Sequence, residues 1–293
     1  MRLLPDNNQI APLLANYHDL SVAPEGITLS ADILAEIVHP PTFDSKTRIA
    51  ALVALPLRLA IQMQQFVEDV RDLPPDQLPL ATPFAALGSE WERGTTSLLH
   101  DLADPSRPIM AGIRKWAEDV KNQNRQFTAN LALSNGAQRV REEILRRSGG
   151  KANYPRVGSL GEALASSIAS GAGSDLGSIA LHSIYVSHAD SMSEGEQEAR
   201  YAAIMANPHL GRFYRTVFCY ILSYSRMWDE AHKHLNFEPA EHLDDWTDMV
   251  LPMFAEAGDI VVSADRKIRA ALEVVEPEGT VICRRVEELT RRP

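Results

Sequence analysis

"DIVVSADRKIRAALEVV", residues 259–275, decides how this chain is read. An apolar run ends at Ser263, and Asp265 opens a segment whose apolar residues recur at helical spacing. That pattern is a short buried strand passing straight into a helix, with a carboxylate at the join. The beginning of the chain also carries short strands that end at polar residues. "LLPDNN" (3–8) carries Leu3 and Leu4 into Asp6 and a turn, and "GITLS" (26–30) leads into the helix "ADILAEIVH" (31–39). Ser30 is the expected N-cap, and Pro40–Pro41 ends that helix. "GTVICRR" (279–285) supplies a last strand. Short strands at both ends, with helices between them, predict an α/β fold with a parallel sheet.

Between the two ends the sequence is helical in pattern. Asp44–Ser45 is expected to cap a helix reaching about Asp72, kinked at Pro56. From about Ala85 to Asn236 every patterned segment has helical spacing, as in "IMAGIRKWAEDVKNQ" (109–123), "QRVREEILRRSGG" (138–150) and "GRFYRTVFCYILSYSRMWDEAHKH" (211–234). "DDWTDMVLPMFAEAG" (244–258) reads as one more helix, stopped by Gly258. The expected organisation is therefore an α/β domain made of residues 1–84 and 237–293, interrupted by a large all-helical insertion over 85–236.

Composition narrows the class. Of 293 residues, 45% are hydrophobic and 23% charged, the balance of a globular chain. Cys219 and Cys283 stand far apart without a C-x-x-C, which argues against a disulfide scaffold or zinc cluster and for a reducing, cytoplasmic setting. Pro5 and Asp6 break any leader-like apolar run. The longest apolar segment, Ile49–Ile61, contains Pro56 and Arg58 and falls short of the roughly 20 residues of a membrane span. A net charge of −10 excludes broad electrostatic attraction to nucleic acid, though a site built of carboxylates contributes to that balance itself.

In an open α/β sheet, ligands bind beyond the carboxyl ends of the strands. Asp6 follows the first strand, Glu36 lies in the helix after the second, and Asp265 comes two residues after Ser263. Asp244, Asp245 and Asp248 share one helical face just before the strand at 259. Four acids at one edge repel unless a cation intervenes, and an oxygen-only set suits Mg²⁺ or Mn²⁺. Taken singly, each acid has a plainer reading. Asp6 is equally a turn residue, Glu36 a solvated helix position, Asp265 a helix cap, and the Asp244–Asp248 group favourable charge near a helix N-terminus.

These residues resemble the PIN domains, which are typically metal-dependent ribonucleases. Asp6 and Asn8 match the family's opening Asp-x-Asn, Glu36 its helix glutamate, Asp248 its later aspartate, and Ser263-x-Asp265 its Thr/Ser-x-Asp. The resemblance covers both ends of the chain and about half its length. It implies that Asp6, Glu36, Asp248 and Asp265 bind Mg²⁺ or Mn²⁺ and are the catalytic acids, with Asn8 and Ser263 in support. Pro252, four residues after Asp248, disturbs the local helix, so Asp245 stands as a partial substitute for Asp248. Single-stranded RNA is the implied substrate, with Arg266, Lys267 and Arg269 as phosphate contacts. A helical insertion of this size departs from the family's compact form.

Two rival readings accompany this one. The helical insertion would bind a protein partner on a scaffold whose acids are inactive or only structural, and toxin–antitoxin style inhibition would combine this with the nuclease. Alternatively the site would be a phosphatase for small phosphoesters. Other motifs carry less. "GAGSDLG" (171–177) has the wrong spacing for a dinucleotide loop and follows no strand. His232 and His234 would face different sides of a helix, and Arg139, Arg141, Arg146 and Arg147 read as a solvated face.

Overall fold

The computed structural model describes residues 1–39, 43–104, 106–133, 157–232 and 245–290. Its centre is a five-stranded, all-parallel sheet in the order β3-β2-β1-β4-β5, flanked by helices. The strands are β1 (Leu3–Pro5), β2 (Ile27–Ser30), β3 (Leu57–Ala60), β4 (Ile260–Val262) and β5 (Ile282–Arg284). The three central strands are buried at every position, as expected for strands covered on both faces. The two edge strands each carry an arginine, Arg58 on β3 and Arg284 on β5, which discourages pairing with another chain.

Helices α1 (Asn7–Ala15), α2 (Ala31–Val38), α3 (Phe43–Val53) and α4 (Met63–Arg71) link and follow the first three strands. The middle of the chain gives α5 (Glu90–Ala103), α6 (Ala111–Leu133), α7 (Val157–Ala169), α8 (Asp175–Tyr185), α9 (Glu194–Ala206) and α10 (Pro208–His232). Then come α11 (Asp245–Val250), β4, α12 (Arg266–Val275), β5 and α13 (Val286–Thr290). The run β1–α1–β2 moves one way across the sheet and β4–α12–β5 the other. Right-handed crossovers therefore place α1 and α12 on opposite faces. Their contacts agree, since α1 packs against α2 and α3 while α12 packs against α7 and α10. The middle helices are not held apart from the sheet layers: α6 packs on α2, α5 on α3, and α8 on α4. One continuous apolar core runs through all of them.

Three local readings need correction. "LLPDNN" is not a turn between strands, because Asp6 caps α1, a helix that tolerates Pro12 in its interior. The expected kinked helix over 44–72 is α3, then β3, then α4. Pro56 does more than bend the chain: it ends helical continuation, and "LRLA" pairs with β2 in full parallel register. The edge of β3 is covered by a loop through hydrogen bonds from Ile61 N to Pro83 O (2.8 Å) and from Ala85 N to Leu59 O (3.2 Å). Third, the helix expected over 244–258 ends at Val250 and tightens into a 3₁₀ turn, Leu251–Phe254, around Pro252. Asp248 lies inside α11.

One glycine is dictated by close approach. Gly26 has φ +150°, and a Cβ there would sit 2.1 Å from the Pro56 carbonyl oxygen. That same carbonyl accepts from Ile27 N at 2.9 Å and brings β3 into register beside β2. Among the described residues no helix is long and apolar enough to cross a membrane.

Candidate functional site

The chain leaves β1 for β2 and β3 on one side, then returns to β4 and β5 on the other, so the topological switch lies between β1 and β4. Pro5 is in register with Val262, and Asp6 N donates to Val262 O at 2.9 Å. Asp6 and Ser263 are therefore side by side at the carboxyl edge of the switch strands. Ser263 Oγ donates to Asp6 Oδ2 at 3.4 Å and accepts from Asp265 N at 3.0 Å, so one hydroxyl ties the two acids together.

Both aspartates also serve as helix caps. Asp6 accepts from Asn8 N at 3.5 Å, and Asp265 from Lys267 N at 2.5 Å. The positive ends of α1 and α12 thus point at the same edge and lower the cost of holding carboxylates there. It does not remove that cost. Asp6 is only 8% exposed, and burial pushes its carboxyl above the usual range, with repulsion from Asp265 adding to the effect.

Glu36 reaches the same edge from α2. It is half-buried, and its Oε1 accepts from the Thr247 hydroxyl on α11. Burial, followed by repulsion from Asp6 and Asp32, pushes its carboxyl up to about 7, against the opposing pull of Thr247 and Lys121. Glu36 is in this way within electrostatic reach of Asp6, and Asp6 of Asp265. Asp248 is half-buried on α11, one residue beyond Thr247. The Asp245 side chain lies outside what the structure describes, as do Asp244, His234 and the arginines at 139, 141, 146 and 147.

No family model, curated protein or solved structure matches this chain.

The remaining expected residues are placed as follows. Asn8 serves Asp6 through its backbone N–H, and its side chain is exposed. Arg266 is exposed and Lys267 half-buried in the first turn of α12. Arg269 forms a two-pronged pair with Glu288, at 3.1 and 2.5 Å, which holds its guanidinium toward α13. The stretch 171–177 is a 3₁₀ turn leading into α8, whose N-cap is Ser174.

Several site residues escaped the sequence reading. Asp32, one turn before Glu36, is 1% exposed and accepts from Met63 N and Asn124 Nδ2, each at 2.9 Å. Burial pushes it up to about 6. Lys121 on α6 faces Glu36 electrostatically and donates to His39 O at 3.5 Å. Arg48 on α3 donates to Asn7 Oδ1 at 3.3 Å, next to Asp6. Only the i, i+4 spacing of Asp32 and Glu36 was available as a signal.

An all-oxygen donor set that repels itself suits a hard divalent cation. Among the described residues no group of three or more His, Cys, Asp or Glu side chains is placed to hold a metal ion by itself. Mg²⁺ does not need one, since it keeps several waters and is held through one or two carboxylates together with substrate phosphates. Asp6 and Asp265, joined through Ser263, are the pair of carboxylates that such binding would use.

Proposed function

We propose that this is a PIN-like, metal-dependent nuclease acting on single-stranded RNA. The observation that carries the reading is the pair Asp6 and Asp265, joined through Ser263 at the carboxyl edge of the switch strands beside the N-termini of α1 and α12, with Glu36 in electrostatic reach of Asp6. By the resemblance, Asp6, Glu36, Asp248 and Asp265 hold one or two Mg²⁺ or Mn²⁺ ions. Such an ion, when bound, contributes Lewis acidity toward a phosphoryl oxygen and acidifies water. The protein's part is to hold acceptor oxygens in place and aim them. Ser263 fixes Asp6 Oδ2, and Thr247 fixes Glu36 Oε1. Arg266 and Lys267 lie in the first turn of α12, beside Asp265, where they would contact phosphates.

Thermal melting with and without Mn²⁺, on wild type and Asp6→Asn, tests the metal site. At metal about a hundredfold above its dissociation constant, wild type gains about 2.7 kcal/mol. Asparagine caps a helix about as well as aspartate, so Asp6→Asn folds and loses the gain. Turnover is then assayed on single-stranded RNA, single-stranded DNA and an aryl phosphate. Cleavage of RNA that Asp6→Asn abolishes supports the nuclease. Turnover of the aryl phosphate alone replaces it with a phosphatase. Absence of any Mn²⁺ shift removes the metal reading and turns attention to the helical region as a protein-binding surface.

A further inference from the structure

We propose that Asp32 and Asn124 are positioning residues: through them α6, from the helical region, sets the register of α2 and so the place of Glu36 at the acidic edge. This inference rests on the metal-site reading above.

A carboxylate as buried as Asp32 is costly, and an apolar residue there would serve packing as well or better. Asp32 is kept in a closed chain of hydrogen bonds instead. Its Oδ2 accepts from Met63 N and its Oδ1 from Asn124 Nδ2. Asn124, itself buried, accepts through Oδ1 from Gln62 Nε2 at 3.2 Å. Gln62 occupies the N-cap position of α4 but makes no side-chain cap, and Met63 is the first residue of that helix. Asp32 therefore caps α4 from a different helix, where the positive end of α4 favours a negative charge.

The contact repeats one turn along. Glu36 follows Asp32 by four residues on α2, and Lys121 precedes Asn124 by three on α6, so the two helices run antiparallel here. Lys121 faces Glu36, and its Nζ donates to the carbonyl of His39, the C-cap of α2. Asp32 with Asn124 forms the inner rung, and Lys121 with the His39 carbonyl the outer one, within electrostatic reach of Glu36. An apolar interface tolerates small slips along the helix axis, whereas this ladder does not. A slip by one turn, about 5.4 Å, would strand a buried carboxylate. Register is thereby fixed where Glu36 must meet Asp6.

The experiment measures Mn²⁺ affinity by calorimetry on the full chain, alongside melting in EDTA. Asn124→Asp sets two carboxylates against each other. The double variant Asp32→Asn with Asn124→Asp restores all three hydrogen bonds with the middle one reversed, at wild-type net charge. The expected result is at least tenfold weaker Mn²⁺ binding in Asn124→Asp and recovery to within about threefold in the double variant. Added negative charge alone would tighten Mn²⁺ binding, so the expected sign is opposite to simple electrostatics. Should Asn124→Asp not fold, Asn124→Ala, which adds no charge, is expected to weaken binding in the same direction. Wild-type affinity in a folded Asn124→Asp or Asn124→Ala, even with a lower melting temperature, overturns the proposal and leaves the metal site standing. Absence of Mn²⁺ binding in wild type overturns both.

Discussion

Glu36→Gln offers the sharpest test of the acidic edge, because its effect grows from nothing as pH rises and is erased or reversed by metal. The Glu36 carboxyl stands at about 7 in the folded chain against 4.5 for the free side chain. Below 4.5 it is protonated in both states and has no effect. Between 4.5 and 7 the folded protein holds a proton that the unfolded chain has released, so stability falls as pH rises. Above 7 the loss is complete. At about 1.4 kcal/mol per pH unit this amounts to about 3 kcal/mol, which partial exposure of the side chain trims to about 2–3 kcal/mol. Glutamine keeps the acceptor for Thr247 and removes the charge. Metal-free Glu36→Gln is therefore expected to match wild type near pH 4.5 and exceed it by about 2–3 kcal/mol at pH 8.5. In urea, with a slope of about 2–3 kcal/mol/M, that is a midpoint shift of about 1 M. Saturating Mn²⁺ would erase or reverse the order, since wild type gains about 2.7 kcal/mol at a hundredfold excess and the variant loses a ligand. Urea melts at four pH values, in EDTA and in Mn²⁺, give the full comparison. A difference between the two proteins that is the same at pH 5 and pH 8.5 would refute the reasoning, because Glu36 would then be an ordinary solvated carboxylate.

Three further variants test the frame around the site. Asp259→Ala removes an acceptor for Arg58 Nη2 (2.8 Å), Arg2 N (2.7 Å) and Glu256 N (3.1 Å) at the amino end of β4. It is expected to cost about 3–5 kcal/mol in chemical denaturation while leaving Mn²⁺ affinity unchanged, since it lies at the opposite end of the strands. Gly177→Ala places a Cβ 2.5 Å from the Ala172 carbonyl oxygen and is expected to cost about 1–3 kcal/mol. Gly94→Ala, in α5 with open space around it, is expected to gain about 1 kcal/mol in the same assay.

The strand–helix joins were legible because both halves of the signal are local. Ser30 at the end of β2 accepts from Ile33 N at 3.2 Å, and Asp265 caps α12, as the residue types suggested. β3 was not legible. Four residues with an arginine among them, lying between two amphipathic helices, sustain a helical period across Pro56, and only pairing with β2 makes them a strand. α1 was hidden by Pro12 and by an Asp-Asn-Asn opening that suits a turn as well as a helix start.

For the site, position at a strand end was enough to single out Asp6 and Asp265, and in the structure each does two things at once. Capping a helix and contributing to an acidic edge are not rival roles here. A helix N-terminus is where a carboxylate is cheapest to bury, and it is also where the sheet delivers its ligands. Asp32 shows the limit. In "SADILAEIV" it reads as first-turn charge on a helix, and nothing local marks it as 1% exposed. Its burial is imposed by Asn124, 92 residues later in sequence, and by the start of α4. In an isolated helix, like charges at Asp32 and Glu36 would cost only a few tenths of a kcal/mol. Closing α6 over them raises that cost severalfold, and Asn124, Lys121 and Met63 N offset it at defined positions. The helical region, which sequence alone sets apart as an insertion, is thus part of what holds the acidic edge together.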